Sequence, residues 1–132
     1  MAERDRFRVS CKAALYTPDG KKVLIVDHGK KGNGLPGGHL EVNETPDVAM
    51  ARELFEELGV DDVTLERRDF WMHHGGKLIL GFTGTLDEST PFKIQDSEIL
   101  SVSWVEVMKI ANGEIEARSY DEFICRFQPG NS

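Results

Sequence analysis

Glu53, Glu56 and Glu57 stand at i, i+3 and i+4 in the stretch "RELFEELGV", Arg52 to Val60. On a helix this spacing sends three carboxylates into one small volume. Like charges so placed cost about 0.2–0.5 kcal/mol per pair. Glu56 and Glu57 also fall in a last helical turn, where the helix dipole is already negative and Lys or Arg would stabilise. A solvated acidic face is one reading. The other is a set of oxygen ligands for a hard cation such as Mg²⁺, which fills its remaining positions with water and phosphate. Acids placed against the dipole favour the metal.

The segment "GNGLPGGHLE" precedes this helix. Pro36-Gly37 has the sequence of a type II turn, with Gly37 where φ must be positive. Gly37 and Gly38 let backbone approach a ligand closely. It is not a P-loop, because Gly38-His39 stands where Lys-Ser/Thr is required. Followed by the acidic helix, it reads as one wall of a phosphate and metal pocket. Lys30 and Lys31 just upstream either meet substrate phosphates or belong to a solvated loop.

These residues need elements to carry them. The helix is expected from Pro46 to Leu58, with Thr45 as its cap, Pro46 in the first position and Gly59 just past the end. On a helical wheel Val48, Ala51, Leu54, Phe55 and Leu58 form the docking face, opposite the glutamates. "RFRVSCKAAL" alternates, with Phe7, Val9, Cys11, Ala13 and Leu15 on one side, and predicts a half-buried strand. The turn "TPDGKK" leads into a strand "VLIVD", and a short strand is expected around His39 to Glu41. "VTLERRDFWM" and "KLILGFTGTL" predict a hairpin around "HHGG", "LSVSWVEV" a further strand, and "SYDEFICRF" a closing helix with Phe123, Ile124 and Phe127 on one face. Without regular βαβ alternation, the fold class is α+β or a layered α/β/α arrangement.

The 132 residues are expected to form a single domain, 1–132. The formal net charge of -7 argues against binding a nucleic acid polymer. No apolar run approaches the ~20 residues that span a bilayer, and "MAERDRFRVS" has no leader-like core, so neither a membrane nor export is expected and the cytoplasm is the default location. Cys11 and Cys125 are expected as reduced, buried thiols.

Gly38 to Val60, "GHLEVNETPDVAMARELFEELGV", resembles the Nudix box, G-x5-E-x7-R-E-U-x-E-E-x-G-U, with U a bulky aliphatic. Gly38, Glu44, Arg52, Glu53, Leu54, Glu56, Glu57, Gly59 and Val60 all fit without a gap. The "LPGG" lead-in and the late "SEILSVSWVEV" extend the likeness to most of the chain. The resemblance implies the Nudix fold, a mixed β-sheet sandwiched between α-helices. It also implies hydrolysis of a nucleoside diphosphate linked to another moiety. Mg²⁺, or Mn²⁺, would be held by Glu53, Glu56 and Glu57 with the Gly38 carbonyl. Arg52 would hold a box glutamate, and Glu44 would support the loop near the substrate. The general base would be Glu53 or Glu98; an exposed loop acid is the other reading of Glu98.

Marks of ADP-ribose, NADH and coenzyme A subclasses are missing from the chain. The small size and "LPGGHLE" look most like the MutT-type group acting on (d)NTPs, including oxidised ones, to give a nucleoside monophosphate and pyrophosphate. ADP-ribose, a dinucleoside polyphosphate or another capped diphosphate is the alternative, and a nucleotide sensor without turnover the third. The expected partner is a small nucleotide, and the expected assembly a monomer or homodimer. Asn33 stands where family members often carry Trp, which leaves that wall more open. His73 and His74 read as hairpin polar residues rather than ligands. Trp71 and Phe82 either stack on a base or pack the core.

Overall fold

In the computed structural model, which describes residues 7–73, 76–95 and 97–130, strand β1 (Arg8–Tyr16) forms the spine of the sheet. It runs parallel to β6 (Lys77–Thr85) from Arg8 opposite Lys77 to Tyr16 opposite Thr85. Its other edge meets two strands in turn. Ser10 to Lys12 pair antiparallel with β4 (Gly37–His39), and Tyr16 pairs with Val23 of β2 (Lys22–Asp27). From there β2 turns away to pair with β7 (Ser101–Glu106) and β3 (Asn33–Gly34), while β5 (Leu65–His73) closes the far side against β6. The sheet is therefore split between β1 and β2, and the glycine-rich segment fills the split.

Helices cover both faces, giving the mixed sheet between helices that the resemblance implies. Cys11, Ala13, Leu15 and Phe82 pack with Ala49, Met50, Leu54 and Leu58 of α1 (Pro46–Leu58). Ala14, Tyr16, Ile25 and Ile79 pack on the other face with Ile110 of α2 (Val107–Ala111) and Phe123 and Ile124 of α3 (Asp121–Arg126). The half-buried expectation for β1 is thus corrected: as a central strand, its alternate residues enter two separate cores. Trp71 packs its ring 5.0 Å from that of Phe123, and Phe82 is buried beneath α1, so both serve packing.

Helix α1 has the expected bounds. Thr45 accepts a bond from the Val48 N–H, and Gly59 ends the helix at φ 71°. Its docking face differs from the wheel. Val48 is 58% and Phe55 51% exposed, whereas Ala49, Met50, Leu54 and Leu58 are buried and Glu57 is only 3% exposed. The inward line runs through Met50, Leu54, Glu57 and Leu58, because that side of α1 packs against β4 as well as β1. The strand expected through Val107 stops at Glu106, where α2 begins and buries Val107 and Ile110. The short strand near His39 lies two residues earlier than expected. Cys11 is buried and Cys125 partly buried, and both stand outside any disulfide. His73 shares a 2.9 Å hydrogen bond with the Ser119 hydroxyl; His74 lies outside the described residues. No helix among the described residues is long and apolar enough to cross a membrane.

Candidate active site

The glycine-rich turn is gripped from three sides. The Ala13 N–H donates to the Pro36 carbonyl at 3.1 Å, and the Lys12 ammonium donates to the Leu35 and Gly37 carbonyls at 3.4 and 3.3 Å. Glu57 accepts the Gly37 N–H at 2.8 Å. Gly37 adopts φ +141°, and a Cβ there would stand 1.9 Å from the Cys11 carbonyl oxygen, so only glycine fits. At Gly38 a Cβ would meet the Glu53 carboxylate oxygens at 2.6 and 2.7 Å. The Gly38 backbone therefore lies directly against Glu53.

Arg52 organises the acids around this contact. Its Nε and Nη2 donate to the two Glu44 oxygens at 2.6 and 3.0 Å, a two-pronged pairing. Its Nη1 bridges Glu53 at 3.1 Å and Glu56 at 3.0 Å, and Nη2 reaches the His39 carbonyl at 3.2 Å. Glu44 also accepts the Glu41 N–H at 3.0 Å. The bond from Arg52 holds the Glu44 carboxyl below its ordinary range. Burial pushes the Glu53 carboxyl up, against the pull of Arg52. Burial likewise pushes the Lys12 ammonium down, to about 8, against the pull of Glu57.

Gly38, Arg52, Glu53, Glu56, Glu57, Glu98 and Lys31 line one cleft of about 400 Å³, a size that suits a small ligand. Lys30 and Glu44 do not line it: Lys30 is exposed on the turn after β2, and Glu44 is engaged by Arg52. A second, open cleft of about 650 Å³ shares His39 and Glu41 with the first and is walled by Phe7, Val9 and Val42. The sequence reading missed Lys12, His28, Lys77, Arg118 and Tyr120, which all line the first cleft. Lys12 carried a signal, a lone cation inside a strand with Cys11 and Ala13 on either side. Arg118 carried none.

The carboxylates and the Gly38 carbonyl are hard oxygen donors, which fits a divalent cation such as Mg²⁺ in kind. Among the described residues no three His, Cys, Asp or Glu side chains converge closely enough to hold a metal as they stand. The cause is visible: Arg52 ties Glu53 to Glu56, and the Gly37 amide holds Glu57. Holding a metal would require Glu56, the most exposed of the three, to swing off Arg52.

Comparison with known proteins gives consistent findings. The family model described as NUDIX domain matches residues 6–127. An RNA pyrophosphohydrolase from Aeromonas hydrophila is 34% identical over 67 residues, 49% of this chain and 38% of that protein. Phosphatase NudJ from Shigella boydii is 34% identical over 101 residues, 69% of this chain and 66% of its own length. The chain thus spans well under half the length of the first relative. Among solved structures, the dihydroneopterin triphosphate pyrophosphohydrolase of E. coli superposes with a TM-score of 0.74 at 19% identity, covering 96% of this chain and 100% of that one.

Proposed function

The chain belongs to the Nudix family, and from that premise we propose that it is a Mg²⁺-dependent pyrophosphohydrolase acting as one domain over residues 1–132. Its best-supported substrate class is a (d)NTP, including oxidised forms, split between the first and second phosphorus to give a nucleoside monophosphate and pyrophosphate. One observation carries this reading: Gly38, Glu53, Glu56 and Glu57 share a single cleft lining with Glu98, which comes from a distant loop before β7.

In this reading Glu53, Glu56, Glu57 and the Gly38 carbonyl hold the metal, with Mn²⁺ able to replace Mg²⁺. When bound, the metal supplies charge neutralisation of the diphosphate and Lewis acidity for an in-line displacement. The chain's own residues do the rest. Glu53 or Glu98 takes the proton of the attacking water. Arg52 fixes Glu53 relative to the loop through Glu44. The Gly37 turn, held by Lys12 and Glu57, fixes the direction of the Gly38 carbonyl.

The test is a metal-dependent product assay over a panel: (d)NTPs, 8-oxo-dGTP, ADP-ribose, dinucleoside polyphosphates and 5′-triphosphorylated RNA, with phosphate and pyrophosphate release measured separately. The reading expects pyrophosphate from a (d)NTP, dependent on Mg²⁺ or Mn²⁺, with the largest kcat/KM of the panel. Nucleotide binding with no turnover on any member would replace it by the sensor reading.

A further inference from the structure

The cleft that the glutamates line is lined by cations as well. Lys12 of β1, Lys31 after β2, Lys77 at the start of β6 and Arg118 in the turn before α3 all line it. Among the described residues, the side chains of Lys31, Lys77 and Arg118 make no ion pair or hydrogen bond, although Glu41, Glu53, Glu56, Glu57 and Glu98 border the same cleft. Arg52 takes the ion pairs to Glu41, Glu53 and Glu56, and these three cations are left out of that cluster. The cations also burden one another: beyond burial, Lys77 is pushed down by Arg118 and Lys31. Three of these cations, Lys31, Lys77 and Arg118, come from separate parts of the chain and make no ion pair, which raises an electrostatic cost that an anion in the cleft would relieve.

Arg118 is the most informative of them. Among the described residues it is one of two non-glycine residues with positive φ, at 56°. Such a conformation costs on the order of 1 kcal/mol in a non-glycine residue. It persists because the turn is pinned on both sides. Asp121 accepts the Ala117 N–H at 2.7 Å, and the Tyr120 N–H donates to the Ala117 carbonyl at 3.1 Å. The arginine stem passes over Gly34, where a Cβ would lie 3.6 Å from Arg118 Cδ and 3.4 Å from the Tyr120 ring. A strained residue is thus held over a glycine with its guanidinium directed at no partner inside the protein.

We propose that Arg118, with Lys77 and Lys31, forms an anion-reading wall that selects substrates carrying a terminal, singly substituted phosphate beyond the diphosphate engaged by the glutamates. The inference rests on the reading of the cleft as a diphosphate-hydrolysing site and names what the other end of the substrate must carry. The three cations without an ion pair support it, since a terminal phosphate adds about two negative charges at neutral pH and gives them a partner. A guanidinium offers it a two-pronged bond, and the ammonium groups act as point charges. The same group arises in two ways, as the last phosphate of a triphosphate or as a phosphate on the ribose.

The experiment compares kcat/KM for matched pairs: each (d)NTP against its (d)NDP, and ADP-ribose 2′-phosphate against ADP-ribose. The protein is the full chain, as wild type, Arg118→Gln, Lys77→Gln, the double variant and Arg118→Lys. The expected result is a wild-type preference for the additional phosphate. In the double variant that preference falls by at least roughly ten-fold, and Arg118→Lys restores part of it. A merely structural role would lower both members of a pair together. Which pair carries the preference distinguishes a terminal from a ribose phosphate. An unchanged preference in the double variant, or a wild type that favours the partner lacking the additional phosphate, overturns the proposal. Should no substrate be turned over, the hydrolase reading fails separately. The wall is then tested by titrating inorganic triphosphate into metal-free wild type and the double variant: roughly ten-fold weaker binding in the variant supports it, and equal binding overturns it.

Discussion

Three residues show how local geometry sets what a substitution should do. Glu57 is buried and its Oε1 accepts the Gly37 N–H, so it serves the loop as well as the cleft. Glu57→Gln keeps an oxygen for that bond and removes the charge. The expected outcome is a kcat lowered by roughly 10²–10³-fold with a melting temperature close to wild type, read by steady-state kinetics and thermal unfolding. Near-wild-type turnover would discard Glu57 as a metal ligand. Gly38 gives the complementary case. A Cβ there displaces the Glu53 carboxylate, the flexible end of a side chain, rather than backbone. Gly38→Ala should therefore fold and lose most activity. At Gly37 the new Cβ would strike the Cys11 carbonyl, and Gly37→Ala should lose stability first. Equal activity loss and equal melting temperatures in the two variants would contradict this division of roles.

At the scale of elements, α1 was the most legible part of the sequence and also the most instructive error. Its cap, first-turn proline and terminal glycine are local signals, and local physics placed both ends. Which face docks is decided by what lies beneath, and the wheel could not know that β4 packs beside β1. An apolar arc through Val48 and Phe55 looked as good as the true line through Met50 and Leu54. Burial of the Glu57 carboxylate, which no hydrophobic pattern predicts, settles the rotation of the helix. Phe55→Ser should then alter stability by no more than about 0.5 kcal/mol. Leu54→Ala should cost about 2–5 kcal/mol, because it empties a site in the core under α1. Urea unfolding of both variants checks the assignment; a larger loss at Phe55 than at Leu54 would restore the wheel's face.

At the scale of the molecule, the glutamate wall was readable because its members lie within one helix and the loop before it. The cationic wall was not, because Lys12, Lys77 and Arg118 meet only through long-range pairing: β1 runs beside β6, and the turn before α3 folds back over Gly34. The same sheet carries both cores, so an event in the cleft should be felt on both faces. Tyr16 ties the sheet to the α3 side, lying in β1 while its hydroxyl donates to the Ile124 carbonyl of α3 at 2.6 Å. The two tryptophans report on opposite sides: Trp71 packs with the α3 core and Trp104 with the α1 core. A metal that binds the folded chain alone stabilises it by about 2.7 kcal/mol at a hundred-fold excess over Kd. For a chain of this size that is a rise of several degrees in Tm, on the order of 5–15 °C. The rise should appear with Mg²⁺ at constant ionic strength and shrink in Glu53→Gln. It should also be the same in Trp71→Phe and Trp104→Phe, where the remaining tryptophan watches one core each. Equal shifts would mean that the glutamates on α1 and the core under α3 unfold as one cooperative unit. A Mg²⁺-induced shift seen only by Trp104 would confine the stabilisation to the α1 face, and the anion-reading turn beside α3 would then have to be treated as an independent part.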